Sequence, residues 1–275
     1  MPEPCPPLPG GRKLAAPSWV LPGTIAENCR FLAGKVHEVG LLFFETASCL
    51  AYTEEDLPPT LSDLPLSFHA HLPTDLPQGG AQAAAICLAL MERVAFLGAR
   101  RAVLHPPPPS QAPPDKEPLE YTGAWLREFA LCWRASNRDT ADLLLENTEH
   151  GELTALLPVI EALGLSLCLD TGHALAYGQR HLFLHPAVLA RTRMVHVSAP
   201  GKGAAKNRHL PLTSLSPEDG AALRNLLFSV SQSAVCMLEL FSTDDFFNSL
   251  PILHSWLEPS SAPPGNNRAT VTTPP

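Results

Sequence analysis

LLLENTEHGELTALLPVIEALGLSLCLDTGH, residues 143–173, decides the fold. It opens on an unbroken apolar run that closes at Glu146. Apolar residues then recur at helical spacing over 153–163, Gly164 interrupts, and a second apolar run closes at Asp170. Short apolar runs bounded by turn residues fit strands buried on both faces, and the 3.6-residue recurrence between them fits a helix. Strand, helix and strand in that order make a parallel unit with a right-handed crossover.

The same alternation extends in both directions. Strands are predicted over 14–20, 36–44, 66–71, 102–105, 142–146, 165–170, 194–198 and 234–240. Helices are predicted over 25–34, 82–97, 119–135, 153–163, 186–191, 217–230 and 244–257, with a weaker one over 54–64. Ser216-Pro217-Glu218-Asp219 supplies a cap, a proline and two acids at a helix start, and Gly98 and Gly164 stand where helices should stop. Eight strands alternating with helices predict a (β/α)8 TIM barrel, with a doubly wound open sheet as the alternative. The barrel should occupy 13–258 as a single domain. Residues 1–12 and 259–275, rich in Pro, Gly, Ser and Thr, are expected to be disordered tails, and 106–118 a stiff surface loop.

Composition narrows the classes of function. A formal charge of −8 argues against a surface that tracks nucleic-acid phosphates. The seven cysteines are scattered and never form a CxxC pair, which predicts reduced, mostly buried thiols in a cytoplasmic protein. No stretch reads as a signal peptide, and the longest apolar run, 83–90, is too short to span a membrane.

Barrel enzymes build their chemistry from the C-terminal ends of the strands. Here those ends carry polar groups in almost every case. Strand one ends near Ser18, and strand two at Glu45 in LLFFE. Strand three ends in FHAHLP, with His69 and His71 two apart and so on one face. Strand four ends at His105, strand five at Glu146, and strand six in LCLDTGH with Asp170 and His173. Strand seven ends at His196 and strand eight at Glu239. One such His alone is usually a hydrogen-bonded rim residue, and one such Glu a solvated one. Their recurrence at one end of consecutive strands predicts a metal centre, and the mixture of imidazole and carboxylate suits Zn, Mn or Fe.

HLP at 71–73, Glu146 behind its leucines, DTGH at 170–173, Val195-His196 and Glu239 together resemble the xylose-isomerase-like barrels, a superfamily that contains endonuclease IV and the sugar epimerases. The epimerase pattern implies one metal on Glu146, Asp170, His196 and Glu239. The endonuclease IV pattern implies a first metal on His71, His105 and a bridging Glu146, and a second on Glu146, Asp170, His196 and Glu239. Its third metal would use His173, His209 and an Asp two residues earlier, where this chain has Asn207 in KNRHLP. Epimerases follow the strand-seven His with a Glu and a sugar-gripping Arg; here VSAPGK follows. That departure, with His71 and His105, favours hydrolysis by two or three divalent ions, Zn or Mn.

The opening WVLPGTIAENCRFLAGKVHEVGLLFFE (19–45) and HAHLPTDLP (69–77) look like the cobamide-remodelling phosphodiesterases, the CbiR family. The resemblance implies a corrinoid substrate, cleaved at the phosphodiester of its nucleotide tail to leave cobinamide phosphate. Glu146 would bridge metals, while Glu45 and His69, outside the matched ligands, would orient ligands or move protons, with a structural role equally open for His69. The rival readings are a sugar isomerase or epimerase, an abasic-site endonuclease, and a barrel that binds metal or corrinoid without catalysis. No nucleic-acid or membrane partner is expected.

Overall fold

The computed structural model describes residues 5–149 and 153–258. Eight strands close into a parallel barrel: β1 (Leu14–Pro17), β2 (Glu38–Leu42), β3 (Ser67–His71), β4 (Ala102–Leu104), β5 (Leu143–Glu146), β6 (Ser166–Asp170), β7 (Thr192–Val197) and, last in the chain, β10 (Val235–Leu238). Each lies beside its sequence neighbour, and β10 pairs with β1 to complete the circle. Two short strands, β8 (Ala199–Pro200) and β9 (His209–Leu210), form a separate antiparallel ribbon.

Alternation along each strand sorts the barrel interior into layers. Ala15, Val103, Leu144, Cys168, Met194, Val235 and Met237 form an apolar plug of their own. Two residues further along the chain from Leu144, Cys168, Met194 and Met237 stand Glu146, Asp170, His196 and Glu239. The metal-competent residues are therefore one turn of the pleat above the plug, at the C-terminal mouth.

Outside the barrel lie α1 (Ile25–Leu32), α2 (Thr46–Leu50), α3 (Gly80–Arg93), α4 (Pro118–Ala135), α5 (Leu153–Leu163), α6 (Thr171–Ala176), α7 (Pro186–Arg191), α8 (Pro217–Ser229) and α9 (Thr243–Leu257). Their inward faces, with Phe129, Trp133, Ile160 and Leu253 among them, join the outward strand residues in one apolar core. The starts obey the local signals. Thr24 and Glu27 form a reciprocal capping box on α1, and Ser216 caps α8 through the amide of Asp219. Among the described residues no helix is long and apolar enough to cross a membrane.

Several expectations need correction. The 54–64 segment holds only a 3-10 turn, Pro59–Asp63, because consecutive prolines at 58 and 59 leave too few amide donors for an α-helix; the helix after β2 is α2 instead. The expected tail over 1–12 is, from Leu8 onward, part of the fold. Leu8 is buried, and the guanidinium of Arg12 donates to the carbonyls of Leu227, Val230 and Ser231, which the end of α8 leaves without helical partners. The expected tail over 259–275 lies outside the described residues. The 106–118 loop packs against α4, with Pro106 and Pro107 buried, and does not rim the mouth.

Candidate metal centre

Glu146 is the hub. Its Oε2 lies 3.3 Å from Nε2 of His71 and 3.4 Å from Nε2 of His105. Its Oε1 lies 3.6 Å from Nδ1 of both His173 and His196. His196 Nδ1 is also 3.0 Å from Glu239 Oε2 and 3.9 Å from Asp170 Oδ2, and His209 Nδ1 is 3.5 Å from the same Glu239 oxygen. All eight metal ligands expected from the sequence thus meet at one mouth. Six of them, His71, His105, Glu146, His173, His209 and Glu239, line a cavity of about 240 Å³ bounded on its other side by Phe44 and Phe241, while Asp170 and His196 lie buried.

The loops that hold these side chains follow from local chemistry. Asn147, buried just past β5, accepts from the amide of Asp170 at 2.7 Å and donates to its carbonyl at 2.9 Å, locking the ends of β5 and β6 together. Asp170 caps α6 by accepting from the amide of His173, which turns that imidazole over the mouth. Gly172 sits where a Cβ would come within 2.5 Å of Ser198 Oγ, so the DTGH turn can pass this close only without a side chain. Ser198 Oγ in turn lies 3.2 Å from His209 Nδ1. The β8–β9 ribbon folds back to deliver that His, which explains how a residue far from any barrel strand reaches the cluster.

Two overlapping groups bring ligand atoms within 4.8 Å of one another: His71, Glu146 and His196, and Glu146, Asp170, His196 and Glu239. Glu146 and His196 belong to both. A carboxylate offers two oxygens, so Glu146 is the member suited to serve two ions at once. The first group differs from the expected one in containing His196; His105 faces the same Glu146 oxygen from β4.

The donor atoms themselves test whether cations fit. His105 Nε2, Glu146 Oε2, Asp170 Oδ2, both ring nitrogens of His196 and Glu239 Oε2 are all buried without a hydrogen-bond partner. Folded proteins leave very few such atoms. Five of these, all but His196 Nε2 on the opposite side of its ring, belong to the cluster around Glu146, a ligand set of nitrogen and oxygen that suits Zn or Mn. Electrostatics agree. Burial penalises the Glu146 charge, yet His196 and His105 outweigh it and hold the carboxyl well below its usual range. Asp170 goes the other way: burial, reinforced by the charges of Glu239 and Glu146, lifts it to about 6. Burial opposes a charged His173, but Asp170 and Glu146 raise it to about 9. So dense a carboxylate cluster calls for positive charge beside it, which divalent cations at the ligand atoms would supply.

Two sequence-based candidates fall elsewhere. Glu45 does not reach the centre. β2 ends at Leu42, so Leu42, Phe43 and Phe44 take the rim, while Glu45 points to solvent at the start of α2 and accepts from Ser48 Oγ at 3.3 Å. His69 is fully buried one layer below the ligands. Its Nδ1 meets Glu38 Oε1 at 2.8 Å, and Glu38 accepts from Arg101 Nη2 at 2.7 and 3.0 Å. Burial opposes the Glu38 charge, but His69 and Arg101 draw its pKa down to about 2. Burial also keeps His69 below its ordinary value, outweighing the pull of Glu38. Sequence reasoning passed over Glu38, which opens β2 inside an apolar run, and over Asn147 and Ser198, whose roles depend on contacts between different strand ends. The inward pair Glu38 and Gly40, two apart, was the signal for the first of these.

Residues 54–253 match the xylose isomerase-like TIM barrel family, and the chain belongs to it. No curated protein matches the chain by sequence. Among solved structures, endonuclease IV from Thermus thermophilus superposes with a TM-score of 0.64 at 18% identity, covering 89% of this chain and 98% of that one. The IolI protein with a bound zinc atom also gives 0.64, at 13% identity and 89% and 95% coverage. L-ribulose 3-epimerase gives 0.58, at 15% identity and 90% and 91% coverage. At these identities the likeness is one of fold. The family includes epimerases, endonuclease IV and dehydratases, so membership makes an enzyme the general expectation and leaves the reaction to the site.

Proposed function

We propose that this protein is a divalent-metal phosphodiesterase that cleaves the nucleotide-tail phosphodiester of cobamides, yielding cobinamide phosphate and a base riboside. The observation that carries the hydrolytic reading is the placement of His71 and His105 on one oxygen of Glu146, with His196 and His173 on the other. An epimerase needs only Glu146, Asp170, His196 and Glu239 around one ion, and it has no use for two more imidazoles on the far side of the bridge. The corrinoid substrate rests on the resemblance of 19–45 and 69–77 to the cobamide-remodelling enzymes.

The chemistry suits this site. Bound divalent ions would supply an activated water and neutralise charge on the phosphoryl and leaving oxygens. Glu146 would set the spacing of the ions, held in place by its neighbours on β4, β6 and β7. Asp170, clamped by Asn147 and committed through one oxygen to the amide of His173, keeps its other oxygen free for a cation. Among the described residues no Lys or Arg lines the cavity, so the chain offers no other permanent cation to the phosphoryl group. Water oxygen adds to phosphorus, the bond from phosphorus to the ribose oxygen breaks, and that oxygen leaves with a proton.

The test is to incubate the metal-reconstituted protein with a cobamide in 18O-water and analyse the products by mass spectrometry. Cobinamide phosphate carrying one 18O is the expected product. An intact cobamide, or label found on the riboside, would overturn the proposal.

A further inference from the structure

The mouth of the barrel has two unlike halves. Strands β3 to β7 and β10 carry metal-competent residues at their ends. β1 and β2 carry none among the described residues and are followed instead by large exposed aromatics, Trp19 and Phe44, which are 42% and 49% exposed. Phe241, just past β10, is 38% exposed. Because β10, β1 and β2 are adjacent in the closed barrel, the three rings form a continuous ledge. Trp19 and Phe44 meet edge to face at 5.8 Å, Phe44 and Phe241 lie 6.4 Å apart with their planes tilted by 59°, and Phe241 stands edge to face against His209 at 5.2 Å. Phe44 and Phe241 also wall the cavity that holds Glu146.

Three large aromatics in contact at a surface cost free energy in water unless something covers them. Here the ledge continues directly into the cavity where a phosphodiester would sit, so its occupant is the part of the substrate attached to the phosphoryl group. We propose that the ledge is the subsite for the flat aromatic base of the nucleotide tail, which lays its face on one of the two tilted rings, Phe44 or Phe241, and its edge on the other, while the phosphodiester lies at the ligand cluster. This rests on the phosphodiesterase reading above and deepens it. The choice of the base over the corrin follows from shape. A planar heteroaromatic fits between tilted rings with its face on one and its edge on the next, whereas the corrin rim is made of tetrahedral carbons bearing amide chains. Stacking of this kind tolerates any flat base, so the ledge would admit benzimidazole and purine tails alike.

Phe44→Ala and Phe241→Ala test this, since both rings are exposed and neither anchors the core. Binding of 5,6-dimethylbenzimidazole riboside, which has the base without the corrin, and of cobinamide phosphate, which has the corrin without the base, is measured by calorimetry on metal-loaded protein. Cobamide turnover is measured in parallel. Each substitution should weaken riboside binding by about tenfold, leave cobinamide phosphate binding unchanged, and raise KM for the cobamide more than it lowers kcat. Riboside binding that is absent in the parent protein, or unchanged in both variants, overturns the ledge. So does a loss of cobinamide phosphate affinity in the variants, which would seat the corrin there. Ring-dependent riboside binding without any cobamide hydrolysis would uphold the ledge and sink the substrate reading, so the two failures are distinct.

Discussion

His105 Nε2 stands 3.4 Å from Oε2 of Glu146, with no hydrogen-bond partner of its own. A buried imidazole nitrogen aimed at a carboxylate it does not hydrogen-bond is the arrangement expected of two ligands that share a cation. The chain should therefore bind at least two divalent ions, Zn or Mn. His105→Ala should lower the bound metal by about one ion per chain, or weaken it by about a hundredfold, while leaving the four-residue group around His196 loaded. Elemental analysis of purified, reconstituted protein checks this. One ion in both parent and variant would transfer the weight to the epimerase reading.

Glu146 serves both ligand groups, and Glu239 only one. Glu146→Gln should abolish turnover and reduce both ions, whereas Glu239→Gln should cost one. Removing metal with a chelator should lower the melting temperature of the parent, because Glu146, Asp170 and Glu239 then crowd together uncompensated. Glu146→Gln, already short of one negative charge, should lose less on chelation. Parent-like turnover in Glu146→Gln would show that its position between four imidazoles has no catalytic meaning.

Asn207 lies at the cavity edge near His209, at the position where the endonuclease IV resemblance implies an Asp. A neutral amide oxygen binds a divalent ion more weakly than a carboxylate does. Asn207→Asp should raise the stoichiometry or affinity of a third ion held with His173 and His209, whose rings are 5.7 Å apart. Three tightly held ions in the parent protein would mean that another residue supplies the ligand.

The barrel was legible in the sequence because each strand is a short apolar run ending at a turn signal, a pattern that persists whatever the tertiary contacts. The metal cluster was legible for a related reason: the fold sends all strand ends to one face, so residues such as Glu146 and Glu239 could be placed together without knowing a distance. Glu45 was misplaced because the sequence does not show where a strand stops, and two phenylalanines extend the apolar run past the end of β2. The lead-in through Leu8 and Arg12 read as a tail because proline and glycine mask it, while its anchors are carbonyls at the other end of the chain. His209 could be matched to a motif but not positioned, since the β8–β9 ribbon that carries it has almost no periodicity to detect.

Below the ligands, Glu38, His69 and Arg101 form a buried network whose protonation sets an acid limit to stability. Glu38 is held at about 2 against an ordinary 4.5, so its contribution is complete above pH 4.5 and is lost as pH falls toward 2. The shift is worth on the order of 3 kcal/mol. His69 acts in the same direction, since the unfolded chain takes up its proton more readily than the folded one. Glu38→Gln should destabilise the protein at neutral pH and flatten the dependence of its urea midpoint on pH between about 5 and 3. An unchanged pH dependence would place the acid sensitivity elsewhere.

The substrate class is tested most directly by presenting three substrates side by side: a cobamide, an abasic-site duplex and a ketose, with Asp170→Asn as the inactive control. Cobinamide phosphate is the predicted product of the first, with no product from the other two. A chain of net charge −8 gives a duplex few cations to trade for its counterions, and the stretch after His196 lacks the Glu and Arg that grip a sugar. Cleavage of the duplex alone, or epimerisation of the ketose with the cobamide left intact, would contradict the assignment.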